Sequence, residues 1–220
     1  MPGKVLKHCQ GKPLLQWTID RLKNVKSRPK IIVATSKEIS DDVIHEYCIN
    51  NDINCYRGSL DNVIERMIEA CQTFKTDYFI RVCGDSPIID SNILDKAIMI
   101  SKNKNFDLIT NTAKRTYPKG QSVEIIKLSS LKELNKKNLS IYEKEHVTVG
   151  FHCRENEFTI FNFESNEKNL SNLQLSVDTY QDYKKIEHLI KLEKQTQIQK
   201  QTKNYFKWQE FSNLYEKLYE

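Results

Sequence analysis

Two aspartates, each at the end of an apolar run, are the residues of this chain most suited to chemistry. Asp85 lies in Gly84-Asp85-Ser86-Pro87-Ile88-Ile89-Asp90, directly after the run at 77–82, and Asp178 lies in Val177-Asp178-Thr179. Mg2+ is a hard cation that takes one or two carboxylates and completes its shell with phosphate oxygens and waters, so aspartates at adjacent strand ends could hold it. The competing reading is that each acid caps the helix that follows. At Asp178 a neighbour could take that task, because Thr179 with Asp182 three residues on has the pattern of a capping box. Gly84 allows close backbone approach to a ligand, and Pro87 stiffens the exit. Near the start, Pro2-Gly3-Lys4-Val5-Leu6 sets an ammonium beside a glycine, a pairing that can face phosphate oxygens. Gly11-Lys12-Pro13 repeats the dipeptide, with Pro13 suited to a first helical turn.

The elements that must position these residues alternate in kind. Residues 13–25 predict a helix with Leu14, Leu15, Ile19 and Leu22 on one face. The β-branched run 30–35 predicts a buried parallel strand. Helices are expected at 41–50, 61–74 and 92–101, with strands at 54–56 and 77–82 between them. Such alternation is the pattern of an α/β sheet with crossover helices, whose ligands bind at the carboxyl ends of the strands. The second half predicts strands at 107–111, 123–127, 157–163 and 175–177, and helices at 143–154 and 180–193. A last helix carries Trp208, Phe211, Tyr215 and Leu218 at heptad-like spacing, a packing or dimer face.

Composition bounds the rest. The 220 residues fit one α/β domain with its own core. No run approaches the roughly 20 apolar residues that cross a bilayer, and Met1-Pro2-Gly3-Lys4 has no apolar signal core, so a membrane is excluded and the cytoplasm is expected. The six cysteines form no Cys-x-x-Cys pair or zinc spacing and are expected as free thiols. The net charge of +5 resides in residues 184–207, which hold seven Lys against two Glu. A basic surface of this kind could touch nucleic acid, but no arginine-rich or aromatic nucleic-acid motif accompanies it, so nucleic acid is not the expected partner.

Taken together, several segments resemble the cytidylyltransferase family typified by the spore coat polysaccharide biosynthesis proteins, relatives of the acylneuraminate and KDO cytidylyltransferases. They are PGKVL (2–6), GKPLLQW (11–17), IIVATS (31–36), RGSLDNVIERM (57–67), RVCGDSPIID (81–90), YPKG (117–120), VEII (123–126), EHVT (145–148) and LSVDTYQD (175–182). They occur in the family's order and reach to about residue 193. The resemblance implies a Rossmann-like, glycosyltransferase-A type domain over 1–193, a mixed sheet flanked by helices, with 194–220 as a helical extension. It implies transfer of CMP from CTP to a sugar or sugar acid with loss of pyrophosphate, in surface polysaccharide synthesis. Asp85 and Asp178 match the family's metal positions and Lys4 its phosphate-contacting lysine, in a catalytic set served by Mg2+. Gly3, Arg57, Ser59 and Arg81 fall in nucleotide segments, and Glu124, Glu145 and His146 in segments facing the sugar. The family's habit implies a homodimer.

The chain also departs from the family. Members begin with a hydrophobic strand and a loop ending in Arg-Leu/Met-Pro-Gly-Lys, whereas this chain starts at Met1-Pro2-Gly3-Lys4. Met1 stands at the Leu/Met position, as an internal methionine taken for the start would. Without that central strand, unpaired strand edges are expected. Asn62 replaces the usual Asp, and Gln121 a usual apolar residue. A second expectation follows, that of a non-catalytic descendant binding nucleotide or a protein partner. The short start favours it; retention of Lys4, Asp85 and Asp178 speaks against it, since a fold alone needs none of them.

Overall fold

A computed structural model describes residues 3–102 and 105–219. A 3-10 turn over Lys4–Leu6 leads into a hairpin of β1 (His8–Cys9) and β2 (Lys12–Pro13). Gln10 and Gly11 close it in two residues, both at positive φ. Helix α1 (Leu14–Leu22) buries Leu14, Leu15, Trp17 and Ile19. Then β3 (Ile32–Ser36), α2 (Asp42–Asn50), β4 (Asn54–Gly58), α3 (Val63–Thr73), β5 (Tyr78–Arg81) and α4 (Ser91–Ser101) alternate. The second half adds β6 (Leu108–Thr110), β7 (Glu124–Lys127), α5 (Leu128–Asn135), α6 (Ile141–His146), α7 (Val149–His152), β8 (Ile160–Asn162), α8 (Tyr180–Gln199) and α9 (Trp208–Tyr219).

The strands form a mixed, helix-flanked α/β arrangement in two parts. β3 pairs in parallel with β4, Ile32 opposite Asn54 and Ser36 opposite Gly58. The other sheet has the order β5-β7-β6-β8, with β7 antiparallel to both neighbours and β8 parallel to β6. No backbone hydrogen bond joins β3 to β5 among the described residues. The unpaired edges expected from the short start are therefore present, one on β3 and one on β5. Ile32, Val33 and Ala34 are only half-buried where the β-branched run predicts full burial, because one edge of their strand is open.

Two further expectations need correction. The helix expected at 143–154 is two short helices, α6 and α7, broken at Val147, which has φ 45°. A β-branched residue at positive φ is costly, and here the buried Val147 side chain fixes the break from the core. Among the described residues 175–177 form no strand; they follow the bridge Lys119↔Gln174, and the Leu175 and Val177 amides donate to the Lys119 and Asp85 carbonyls. Gly120 makes that approach possible: at φ +90°, an added Cβ would stand 2.5 Å from the Leu175 carbonyl. The unforeseen α5 buries Leu128, Leu131 and Leu134 against α3.

The last helix spends its stripe on the chain itself. Trp208, Phe211 and Tyr215 are buried, while Leu218 stays 41% exposed. Trp208 meets Tyr117 edge-on at 5.3 Å, and Phe211 and Tyr215 pack with α8 and Leu175 in one apolar cluster. Helix α8 runs unbroken through residue 193 to Gln199. All six cysteines are free, and among the described residues no helix is long and apolar enough to cross a membrane.

Candidate active site

Asp85 follows β5 in the loop that leads to α4, and this loop is braced from behind. Arg21, 1% exposed on α1, donates from Nε to the Pro87 carbonyl at 2.8 Å. Its NH2 reaches Glu193 Oε2 on α8 at 2.6 Å, and both side chains are fully buried. Gln121, the residue that departs from the apolar pattern, is also fully buried. It donates to the Ile88 carbonyl at 2.9 Å and accepts from the Asp90 amide at 2.9 Å. Asp90 caps α4 through the Asn92 amide and takes the Trp208 amide on its other oxygen. The backbone of 86–90 is thus tied to α1, α8, α9 and the 118–121 turn, which leaves Asp85 on a stiff support.

Asp178 reaches the same place from the far end of the chain. The Val177 amide donates to the Asp85 carbonyl at 3.0 Å. Thr179 and Asp182 form the expected capping box of α8, so Asp178 is not needed as the cap. Its Oδ2 accepts from Gln174 Nε2 at 2.8 Å. Its side chain is 58% exposed, facing open solvent beside Asp85.

Lys4 lies between the two acids. Its Nζ is 2.7 Å from Asp85 Oδ2 and 3.1 Å from Asp178 Oδ1. Burial works against the ammonium, but the hydrogen bond and charge of Asp85, then those of Asp178, outweigh it and hold its pKa above the ordinary lysine value. Burial likewise opposes the Asp178 carboxylate, yet Lys4 and Gln174 hold its pKa below the usual range. The turn carrying Lys4 is fixed to α8: Lys7 Nζ sits 4.4 and 4.2 Å from the Tyr180 and Tyr183 ring centres, and Tyr183 Oη donates to the His8 carbonyl at 2.7 Å. Gly3 begins that turn in the left-handed region, φ 65°, with open space around it.

A second polar group stands beside Asp85. Arg81 and Glu124 face each other across β5 and β7, with NH1 to Oε2 at 2.6 Å. Burial alone would lower the Arg81 pKa; Glu124, Cys83 and Asp85 raise it above the ordinary value. Glu124 is 4% exposed, and its Oε1 accepts from Thr148 Oγ1 at 2.7 Å and Thr112 Oγ1 at 3.3 Å. The strained break at Val147 is what aims Thr148 at this carboxylate. Arg115, near Glu124 and Cys83, donates from both terminal nitrogens to Ser122 Oγ at 3.1 Å.

Not every residue of the expected site is gathered here. Arg57 is engaged at the end of β3, donating to the Ser36 and Glu38 carbonyls and pairing with Asp42 at 2.6 Å. Ser59 accepts from the Asn62 amide at 3.0 Å, ahead of α3, where Asn62 accepts from the Glu65 amide as the helix cap. Glu145 is exposed on α6, and the His146 ring packs on Tyr142 at 4.2 Å. None of these four side chains touches Lys4, Asp85 or Asp178. Conversely, Thr112, Arg115, Thr148 and Gln174 were not singled out from sequence. Thr148 ends the EHVT segment and Arg115 precedes YPKG, so the signal lay beside the motifs.

The two carboxylates enclose the position of a cation, which the Lys4 ammonium fills. Among the described residues no group of three or more potential metal ligands occurs. Two carboxylates alone suit Mg2+ bound together with phosphate oxygens and water. A soft or structural metal would want a closed set of protein donors.

Similarity to known proteins bears on the family and the fold. A family model described as cytidylyltransferase matches residues 1–219. The spore coat polysaccharide biosynthesis protein SpsF of Bacillus subtilis is 26% identical over 197 residues, covering 86% of this chain and 80% of that one. A cytidylyltransferase from Leptospira borgpetersenii superimposes with TM-score 0.89 at 28% identity, covering 99% of this chain and 88% of that one. CMP:2-keto-3-deoxy-manno-octonic acid synthetase, solved with CTP, superimposes with TM-score 0.65 at 17% identity over 88% of this chain and 93% of that one, a likeness of fold.

Proposed function

The chain belongs to the cytidylyltransferase family, and from that premise we propose that it transfers CMP from CTP to a sugar or sugar acid destined for surface polysaccharide. The sugar hydroxyl attacks the α-phosphorus, its proton passes to water, the bond to the β-phosphate oxygen breaks and pyrophosphate leaves. Such chemistry is positioning plus neutralisation of charge. The observation that carries the reading is the bridge from Lys4 Nζ to Asp85 and Asp178, a cation held by two acids that are 93 residues apart in sequence, 178 less 85. Asp85 and Asp178 are the residues that would hold Mg2+, which would supply a Lewis acid and a clamp for the triphosphate. Lys4 would then be free to face the phosphates, where a lysine of ordinary pKa, about 10.4, is already charged at neutral pH. Arg81 adds a second fixed positive charge next to Asp85, oriented by Glu124. Glu124 has both oxygens engaged, so it acts as a positioning residue for the sugar-side wall together with Thr148.

The test is pyrophosphate release from CTP, Mg2+ and candidate sugars. Asp85→Asn should lower it by about 100-fold or more while the domain stays folded. Wild-type turnover in that variant would remove Asp85 from the site. The open edge between β3 and β5 favours a second reading, a descendant that binds nucleotide without turnover. Calorimetric binding of CTP without pyrophosphate release from any sugar would support it.

A further inference from the structure

Helix α2 and strand β4 lie against each other on either side of a tight turn. The Asn51 and Ile53 amides donate to the Cys48 carbonyl at 3.3 and 2.9 Å, and Asp52 takes φ 53°, so the chain reverses directly after Cys48. Successive residues of a strand point to opposite faces. Tyr56 points to α3, where its Oη donates to Glu69 at 2.8 Å. Arg57 points to α2, where it pairs with Asp42 at 2.6 Å. Cys55, two residues before Arg57, therefore faces α2 as well. On a helix, residues three apart share a face. Asp42, His45 and Cys48 thus form one stripe over β4, running against the strand, with Asp42 over Arg57 and Cys48 over Cys55. Cys48 is fully buried and Cys55 half-buried. Their thiols lie in contact, and the His45 ring stands beside the Cys55 sulfur.

This contact sets the two sulfurs apart. The Cys48 thiol is the chief stabiliser of a Cys55 thiolate; burial opposes it, His45 and then the charge of Arg57 add to it, and the Cys55 thiol is brought down to about 6. The Cys55 sulfur and burial raise Cys48 above the ordinary thiol value. Burial likewise pushes up the thiols of Cys9, Cys71 and Cys83. Thiolate, rather than thiol, is the nucleophile.

We propose that Cys55 and Cys48 are an oxidation site, which takes a small hydroperoxide and closes reversibly into a disulfide between β4 and α2. The Cys55 sulfur attacks one peroxide oxygen. The O–O bond breaks, the peroxide is reduced, Cys55 is oxidised to the sulfenic acid, and the departing hydroxide takes up the proton that the thiol gave. The Cys48 sulfur then attacks the Cys55 sulfur. The S–S bond forms, the S–O bond breaks, and the Cys48 proton leaves with the hydroxyl as water. Two thiols and one hydrogen peroxide thus give one disulfide and two waters. Two exchanges with an external thiol restore both cysteines and leave that thiol as its own disulfide. Free thiols are the resting state in a reducing compartment, where disulfides are transient and redox-sensing. The inference does not rest on the proposed reaction, and its test uses no nucleotide.

The experiment treats the folded full chain with hydrogen peroxide at neutral pH, alkylates it and digests it with trypsin. Cleavage after Lys37 and Arg57 gives one peptide, 38–57, with Cys48 and Cys55 as its two cysteines. That peptide should become two hydrogens lighter and resist alkylation, while Cys9 and Cys71 stay free; dithiothreitol should reverse the change. Without peroxide, Cys55 should alkylate about 10-fold or more faster than Cys9 and Cys71. Cys48→Ala should halt oxidation at a Cys55 sulfenic acid that dimedone traps, and Cys55→Ala should leave Cys48 a free thiol. Both thiols of 38–57 surviving a peroxide dose that oxidises the exposed Cys153 would overturn the proposal. So would a Cys55 oxidised beyond the sulfenic acid while Cys48 stays free, or a disulfide from either to another cysteine. The peptide measurement needs no variant, so it decides the matter even where a substituted chain does not fold.

Discussion

At the scale of single residues, the site is an ion triad whose pH range can be stated. Lys4 has its pKa raised in the folded state, so its contribution is complete below the ordinary lysine value and is lost only as pH rises through the higher folded value. Asp178 has its pKa lowered, so its contribution is present above the ordinary carboxylate value and is lost as pH falls through the lower folded value. The Lys4–Asp178 pair should stay charged on both sides from about pH 4 to about pH 10. Titration of the Asp178 carboxyl carbon by NMR checks this: a midpoint below about 3.9 is expected, and one at or above it contradicts the triad. The aspartates and Lys4 were legible in sequence because each follows or opens a turn with few other tasks. Arg57, Ser59, Glu145 and His146, expected from the resemblance, lie outside the triad. A motif places a residue near a site, but a local acceptor such as the Ser36 carbonyl can claim the side chain first.

At the scale of elements, the first half was readable because each strand and helix declares its period within a few residues. The second half was not, for reasons that lie outside the local pattern. The break at Val147 is set by burial of that side chain, which overrides the helical propensity of 143–154. The 175–177 segment has a strand's composition but bonds to the Lys119 and Asp85 carbonyls, so it becomes irregular chain that delivers Asp178. Gly120 is the residue on which that delivery depends. Gly120→Ala should destabilise the protein by about 2 kcal/mol or more, through positive φ and the 2.5 Å approach to Leu175. It should also weaken CTP binding, because Asp178 moves with Leu175. Denaturant unfolding and calorimetry on the same variant check both, and wild-type stability would show that the turn tolerates a side chain.

At the scale of the whole molecule, the ends of the chain hold its middle. The 2–6 segment supplies Lys4, α8 supplies Glu193, and the amide of Trp208 on α9 binds Asp90 of the acidic loop. Glu193→Ala leaves the guanidinium of Arg21 buried and unpaired, and should cost about 3–5 kcal/mol. Faster amide exchange across 86–90 should accompany the loss; a midpoint shift too small to detect would mean that Arg21 finds water instead. Sequence could not foresee this bracing, since nothing local to Arg21 or Glu193 announces a partner 172 residues away. Among the described residues β3 and β5 each keep an edge with no strand pairing, in line with the unpaired edges expected from sequence. What ties the scales together is convergence of two distant acids on one cation. A crystal structure with CTP and Mn2+, read by anomalous scattering, tests that most directly. The expected result is one ion within about 2.0–2.3 Å of an oxygen from each of Asp85 and Asp178, beneath the triphosphate, with the Lys4 ammonium turned to a phosphate oxygen. An ion bound elsewhere, with Lys4 still bridging the two carboxylates over bound CTP, would contradict it.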